Sequence, residues 1–407
     1  MHAAWLRPLL AVLCVGILLA GCGKGASTTS TGGGPLGQLA PTAAPGAVSV
    51  TTRNTTRLGG ADAATDAAAV ARTVYPGLTP ATRPKAVVLV DQRNWPAALA
   101  ASALAGAPTG APILYSDGNS LPDVSGQALQ ALNPLGAPVL GGAQVLRIGT
   151  SAAVPKGYRT QSLSAGRPAV AEAGIERLLR RADGRAPRQV IVVPANATPA
   201  LAMPAAGLSA ESGAPILFVE KARVPAETAA VLASLHRPSI YVIDSTEIGS
   251  PTLAELRSFG AVTEIAAAAP GAAVSAAGNA IALARFTDGR FGWGVKEPGH
   301  GLVFASAAHP LDAPAAASLS ATGDYGPLLV LESPAQLPLA LVSYLKDIQP
   351  AYTAAFDFRP VRGVYNHGWL IGDEHAISAV TQAEIDSQLE ISPRRPSTEE
   401  PSVSQVE

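Results

Sequence analysis

One short phrase is written three times in this chain: GAPILYSDGNSLP at 110–122, GAPILFVEKARVP at 213–225 and GPLLVLESPAQLP at 326–338. A phrase that returns at long, similar intervals marks a supersecondary unit repeated in tandem, and such a repeat constrains the fold more than any overall property of the chain. A near-constant distance upstream of each copy lies an aliphatic run: Val87–Val90, Val190–Val193 and Leu302–Ala305. Between run and phrase lies an Ala-rich segment, WPAALAASALAG from Trp95, TPALAMPAAGLSA from Thr198 and PLDAPAAASLSA from Pro310. After each phrase Pro122, Pro225 and Pro338 open a segment of helical pattern. Proline suits that position because its missing N–H would find no intrahelical partner there.

A further aliphatic strand follows in each unit, Val145–Ile148, Ile240–Ile243 and Trp369–Gly372, and an Ala-rich helical segment precedes each first strand, from residues 61, 168 and 272. Each unit thus reads αβαβαβ. Continuous Val/Ile/Leu strands alternating with helices predict an α/β fold with parallel sheets buried on both faces. A chain of 407 residues exceeds what a single core supports, so several modules are expected. Hydrophobic residues make up 48% but aromatics only 5%, so Val, Ile, Leu and Ala must fill the interior. A formal net charge of −1 gives no global field for nucleic acid, and none is expected as a partner.

The first residues read as a processing signal. Met1–Arg7 is a short basic region, Pro8–Ala20 an apolar run too short to span a bilayer, and Leu19-Ala20-Gly21-Cys22 follows. That ending resembles the bacterial lipobox, which implies acylation of Cys22 and attachment to the membrane by two or more acyl chains. Cys14 falls in the removed segment, leaving one cysteine and no internal disulfide. The expected organisation is a signal peptide at 1–21, a lipidated Gly/Pro-rich tether at 22–50, units at 51–155, 156–261 and 262–391, and a disordered tail at 392–407.

The units resemble the cell-wall-binding repeat type 2 family, which is usually found as three tandem modules. The resemblance rests on Arg57-Leu58-Gly59-Gly60-Ala61-Asp62, a Val/Ile-rich strand, an Ala-rich helix with Leu311-Asp312-Ala313 in the third unit, and the Ala-Pro-Ile-Leu phrase. It implies three flavodoxin- or toprim-like modules about a pseudo-threefold axis. It also implies non-covalent attachment to an anionic wall polymer, a glycan or teichoic-type chain. The aliphatics Ile113-Leu114, Ile216-Leu217 and Leu328-Leu329 are read here as core.

Motifs for catalysis are missing: the chain holds no His-Glu-x-x-His, P-loop or Gly-x-Ser-x-Gly. No enzyme activity, cofactor or metal is therefore expected. His300, His309, His367, Asp373 and His375 cluster in the third unit, but their spacing is not a recurrent ligand set. Polymer contacts are assigned to Arg57, Arg177, Arg180, Arg181, Asp312 and Trp95, with Tyr115, Trp293, Tyr325 and Trp369 as further aromatics. Arg177, Arg180, Arg181 and Arg188 are expected to share a helix face. The function expected is an extracytoplasmic lipoprotein that binds cell-wall polymer at the bacterial surface. The alternatives are a solute-binding lipoprotein or a wall hydrolase.

Overall fold

The aliphatic runs read from the sequence are strands, and the Ala-rich segments between them are helices. The computed structural model describes residues 48–265, 274–323, 326–353, 360–363 and 365–393, all within one compact unit, Pro41–Glu407. The chain opens with β1 (Val48–Thr51), β2 (Thr55–Gly59) and α1 (Ala63–Val74), then runs β3 (Val87–Asp91), α2 (Trp95–Ala101), β4 (Ile113–Ser116), α3 (Asp123–Leu132) and β5 (Val145–Ile148). The second stretch is β6 (Thr160–Leu163), α4 (Pro168–Asp183), β7 (Gln189–Pro194), α5 (Pro199–Ala202), α6 (Ala205–Ser212), β8 (Ile216–Val219), α7 (Ala226–Ser234), β9 (Ser239–Ile243) and α8 (Ser250–Phe259). The third is β10 (Ala261–Ile265), α9 (Ala276–Arg285), β11 (Gly301–Ser306), α10 (Asp312–Thr322), β12 (Leu328–Leu331), α11 (Leu339–Asp347), β13 (Ala351–Tyr352), β14 (Pro360–Arg362), β15 (His367–Ile371), α12 (Ala379–Leu389) and β16 (Ser392–Pro393).

Three sheets share one strand order: β4-β3-β5-β6, β8-β7-β9-β10 and β12-β11-β15-β2, the last extended by β1. All pairings within these orders are parallel; β1 runs antiparallel to its neighbour β2, and a separate small sheet, β14-β13-β16, pairs β13 with β14 antiparallel. The fourth strand of each sheet comes from the start of the next unit. Thus β6 precedes α4 but completes the first sheet, β10 precedes α9 but completes the second, and β2 precedes α1 but completes the third. The sheets therefore cross the expected boundaries at 155/156 and 261/262, and Arg57–Gly59, assigned to the first unit, lies in the third sheet beside Leu370 and Ile371. A strand this far away in sequence cannot be placed by local pattern, because nothing in Thr55–Gly59 marks which sheet it joins.

The helices repeat the same exchange. Helix α1 packs on β4 and also on α10, α4 on β8 and α2, and α9 on β12 and α5. Helix α6 meets α10, and both meet the turn at 102–104 that continues α2. These central helices are buried on every side: residues 312–321 of α10 are all inaccessible. An all-round buried helix needs small residues, which explains the Ala-rich segments. At the tightest points only glycine fits. A Cβ on Gly106 would stand 1.9 Å from the Ala210 carbonyl oxygen, and one on Gly207 2.6 Å from Ser320 Oγ.

Two expected ends shift slightly. Residues 48–50, expected as tether, begin β1, and Ser392 and Pro393, expected as tail, pair with β13. Cys22, the signal segment, residues 394–407 and Tyr325 lie outside the described residues.

Candidate functional site

Arg57, expected to touch polymer, is 1% exposed. Its Nε donates to Gln382 Oε1 at 3.0 Å, Nη1 to the carbonyls of Gly372 at 3.1 Å and Asp373 at 2.6 Å, and Nη2 to that of Ile377 at 2.6 Å. The guanidinium ties the inserted strand β2 to the turn after β15 and to α12. It is a structural clamp, and the assignment as a polymer contact is corrected.

Asp312 is corrected for the same reason. It is 1% exposed and faces Asp66, which is 0% exposed and belongs to α1. Gly60 N–H donates to Asp66 Oδ1 at 2.6 Å, while Asp66 Oδ2 and both Asp312 oxygens meet no partner among the described residues. Burial raises the pKa of both groups; the charge of Asp66 raises Asp312 further, while at Asp66 the Gly60 N–H and Asp312 offset part of the rise. The pair seals the seam between the third unit and the first; it offers nothing to solvent. Trp95 sits half-buried at the same seam, where its Nε1–H donates to the Pro310 carbonyl at 3.2 Å, and the Tyr115 hydroxyl donates to that of Leu311 at 2.6 Å.

The buried acid on α1 has counterparts at the matching turn of the other leading helices. On α4, Glu172 accepts from Phe218 N–H at 2.5 Å and stands 2.5 Å from Thr228 Oγ1. On α9, Asn279 Nδ2 donates to the Leu201 carbonyl at 2.5 Å. Burial pushes the Glu172 pKa up to about 8.

The aliphatic positions Ile113-Leu114, Ile216-Leu217 and Leu328-Leu329 are at most 1% exposed, as expected of core. The histidines do not converge. His367 stands 3.1 Å from Thr56 Oγ1, the exposed His375 pairs with Asp373 at 3.0 Å, and no group of three potential metal ligands occurs among the described residues.

The arginines of the second unit separate into different environments. Helix α4 ends at Asp183 with Gly184 at φ 70, a left-handed cap, so Arg188 leaves the helix and shares no face with Arg177. Arg180 is held by Glu176 at 2.8 Å and donates to Ser234 Oγ at 2.7 Å. Arg177 and Arg181 are exposed, and Arg181 lines a hollow of about 520 Å³ with Lys85.

Beyond Gly184 the chain returns to β7 through Arg185 and Arg188, and beyond α7 it returns to β9 through His236 and Arg237. These turns and Arg290, from the loop after α9, line a cleft of about 830 Å³ at the N-terminal edge of the second sheet. Its wall is aromatic: Tyr241 of β9 stacks on Phe291 with centroids 4.0 Å apart, and Phe286 meets it edge-on at 5.8 Å. The Tyr241 hydroxyl donates to Asp288 Oδ2 at 2.6 Å. Asp288 Oδ1 accepts from the N–H groups of Arg290 and Phe291, each at 2.9 Å. This shell, led by the Tyr241 hydroxyl, holds the Asp288 carboxyl below its usual range. Sequence reading saw Arg188 only as part of a helix face and assigned no contact to Arg185, and it had no signal for Arg237 and Arg290, which the fold brings in from two other loops.

With this geometry, comparison with known proteins becomes informative. Residues 57–159 match Cell wall binding domain 2 (CWB2). The matched stretch starts at β2 and stops just before β6, so the CWB2 unit of sequence is offset by one strand from the sheets. Two solved structures share the fold. Cwp6 from Clostridium difficile superposes with a TM-score of 0.64 at 16% identity over 84% of this chain and 51% of its own. Cwp8 from the same organism gives 0.60 at 16% identity over 83% of this chain and 52% of its own. The chain therefore spans about half the length of each. A search among curated proteins finds no match.

Proposed function

We propose that the protein is an extracytoplasmic bacterial surface protein that binds cell-wall polymer non-covalently and without catalysis, tethered to the membrane through an acylated Cys22. The observation that carries the reading is the CWB2 match over residues 57–159, set in a fold shared with two cell wall proteins across more than four-fifths of the chain. The non-catalytic part is supported by the acids: the facing pair Asp66 and Asp312 is closed to any substrate, at 0% and 1% exposure. The tether is supported by Leu19-Ala20-Gly21-Cys22 behind a short apolar run. No helix among the described residues is long and apolar enough to cross a membrane.

The test is co-sedimentation of residues 41–407 with purified walls of the native host. Saturable pelleting that a soluble wall-polymer extract competes away is expected. Protein that stays in the supernatant at every wall concentration overturns the reading.

A further inference from the structure

Elsewhere on the surface the arginines are commonly neutralised: Arg53 meets Glu390, Arg93 meets Asp117 and Arg223 meets Glu220. The cleft under the second sheet departs from that habit. Arg185, Arg188, Arg237 and Arg290 line it, all four exposed, and none has a side-chain hydrogen bond or ion pair among the described residues. Asp288 is the one carboxylate in the lining, and its oxygens are already engaged by Tyr241 and two backbone N–H groups. Four like charges around one hollow repel each other unless an anion sits among them.

The backbone points the same way. His236 and Arg237 both lie in the left-handed region, at φ 54 and 65. Side chains other than glycine and asparagine adopt this conformation at a cost, and it is kept where the surrounding structure or a ligand requires it. This turn brings Arg237 into the same lining as Arg188.

The hollow is also continuous. It shares Gln189 and Arg290 with a second hollow of about 500 Å³ that reaches Trp293 and His300. It also shares Arg185 and Arg188 with a third of about 250 Å³, which in turn shares Gln189 and Ser212 with the second. Three adjoining hollows that meet at Gln189 suit a chain rather than a single ion, and a half-buried Trp293 gives a sugar ring an aromatic edge to pack against. The corresponding place under the first sheet carries only Lys85 and Arg181, and Lys85 Nζ is occupied by the Pro108 carbonyl at 2.6 Å.

We propose that this groove seats one stretch of an oxyanion-bearing saccharide polymer, with Arg185, Arg188, Arg237 and Arg290 holding successive phosphate or carboxylate groups, so that the second unit supplies the charged contact with the wall. The guanidinium fork suits both groups because it offers paired N–H donors to two oxygens at once. The proposal rests on the wall-binding reading and narrows it to one groove.

The test compares three forms of residues 41–407: the native sequence, R188Q/R237Q/R290Q, and R53Q/R223Q/R257Q, which removes the same charge from exposed surface pairs. Thermal midpoints establish that all three fold. Each is sedimented with purified walls at low and high salt, and titrated with poly(glycerol phosphate) and with polygalacturonate. The expected result is wall affinity at least about tenfold weaker in the groove variant, with its salt dependence reduced, and little change in the control. Competition by the phosphate polymer alone identifies phosphodiesters as the ligand group, and competition by polygalacturonate alone identifies carboxylates. Equal affinity of groove variant and native protein, or equal losses in both variants, overturns the groove while leaving wall binding intact. If the native protein does not pellet, wall binding fails. The groove then stands only if one of the two soluble polymers binds in an R188Q/R237Q/R290Q-sensitive way.

Discussion

Arg57 donates four hydrogen bonds from a side chain that reaches no solvent, three of them to backbone carbonyls in the turn 372–377. Truncation would leave those carbonyls and Gln382 buried without a donor and the clamp on β2 open. Arg57→Ala should therefore lower the unfolding free energy by about 3–5 kcal/mol, read from urea denaturation followed by circular dichroism. Wall affinity of the fraction that remains folded should be unchanged. A polymer contact would give the opposite pattern, with stability kept and affinity lost. Arg57-Leu58-Gly59-Gly60 was legible as a motif from sequence, but its role was not, because burial depends on which sheet receives the strand. Asp312 misled in the same way: a carboxylate opening a helix reads as a surface charge until α1 is laid across it.

At the scale of elements, the informative event is the exchange of leading strands. Strand β2 pairs with β15 through Gly368↔Thr55 to Ile371↔Leu58, and β1 then pairs with β2. Removing both uncovers β15, a parallel strand with free N–H and C=O groups, which is a template for pairing with another chain. A chain that begins at residue 61 should thus unfold at markedly lower urea than one that begins at 41, and should self-associate on size-exclusion chromatography. If the two unfold alike and remain monomeric, β2 contributes nothing to closing the third sheet. The Ala-rich helices belong to this scale too. Their composition was read as interior filling, and the structure adds the reason: α6 and α10 approach so closely that Gly207 sits where a Cβ would strike Ser320.

Over the whole molecule, charge is nearly balanced yet unevenly housed: several surface arginines pair with carboxylates, four without a pair gather at one groove, and carboxyl groups with raised pKa lie inside. Burial is what keeps a proton on Glu172: Phe218 N–H and Thr228 Oγ1 donate to its two oxygens and offset only part of that effect. Its pKa stands at about 8 in the fold against an ordinary 4.5, so below 4.5 both folded and unfolded chains hold the proton and its contribution is complete. As pH rises toward 8 the unfolded chain releases a proton the fold must keep, and stability falls; above 8 it levels off. Asp66 and Asp312, also raised by burial, act in the same direction. The thermal midpoint should accordingly decline from mildly acidic to alkaline pH. Glu172→Gln, which keeps the shape and removes the titrating group, should gain on the order of 3 kcal/mol over the native protein at alkaline pH and little at acidic pH. A pH-independent difference between the two would remove the buried proton from the account.

By itself the sequence determined the elements. Three Ala-Pro-Ile-Leu-like phrases, the aliphatic runs before them and the prolines after them specify strands and helices through local periodicity and backbone chemistry, and parallel order follows because three strands of each sheet are apolar on both faces. Only the tertiary structure decided which sheet each leading strand joins, since β2, β6 and β10 carry no mark of their partner and their choice depends on how the units close on one another. The same closure buried Arg57 and Asp312 and brought Arg237 and Arg290 to Arg185 and Arg188. Burial and convergence arise from contacts between residues far apart in the chain, and no pattern of near neighbours encodes them.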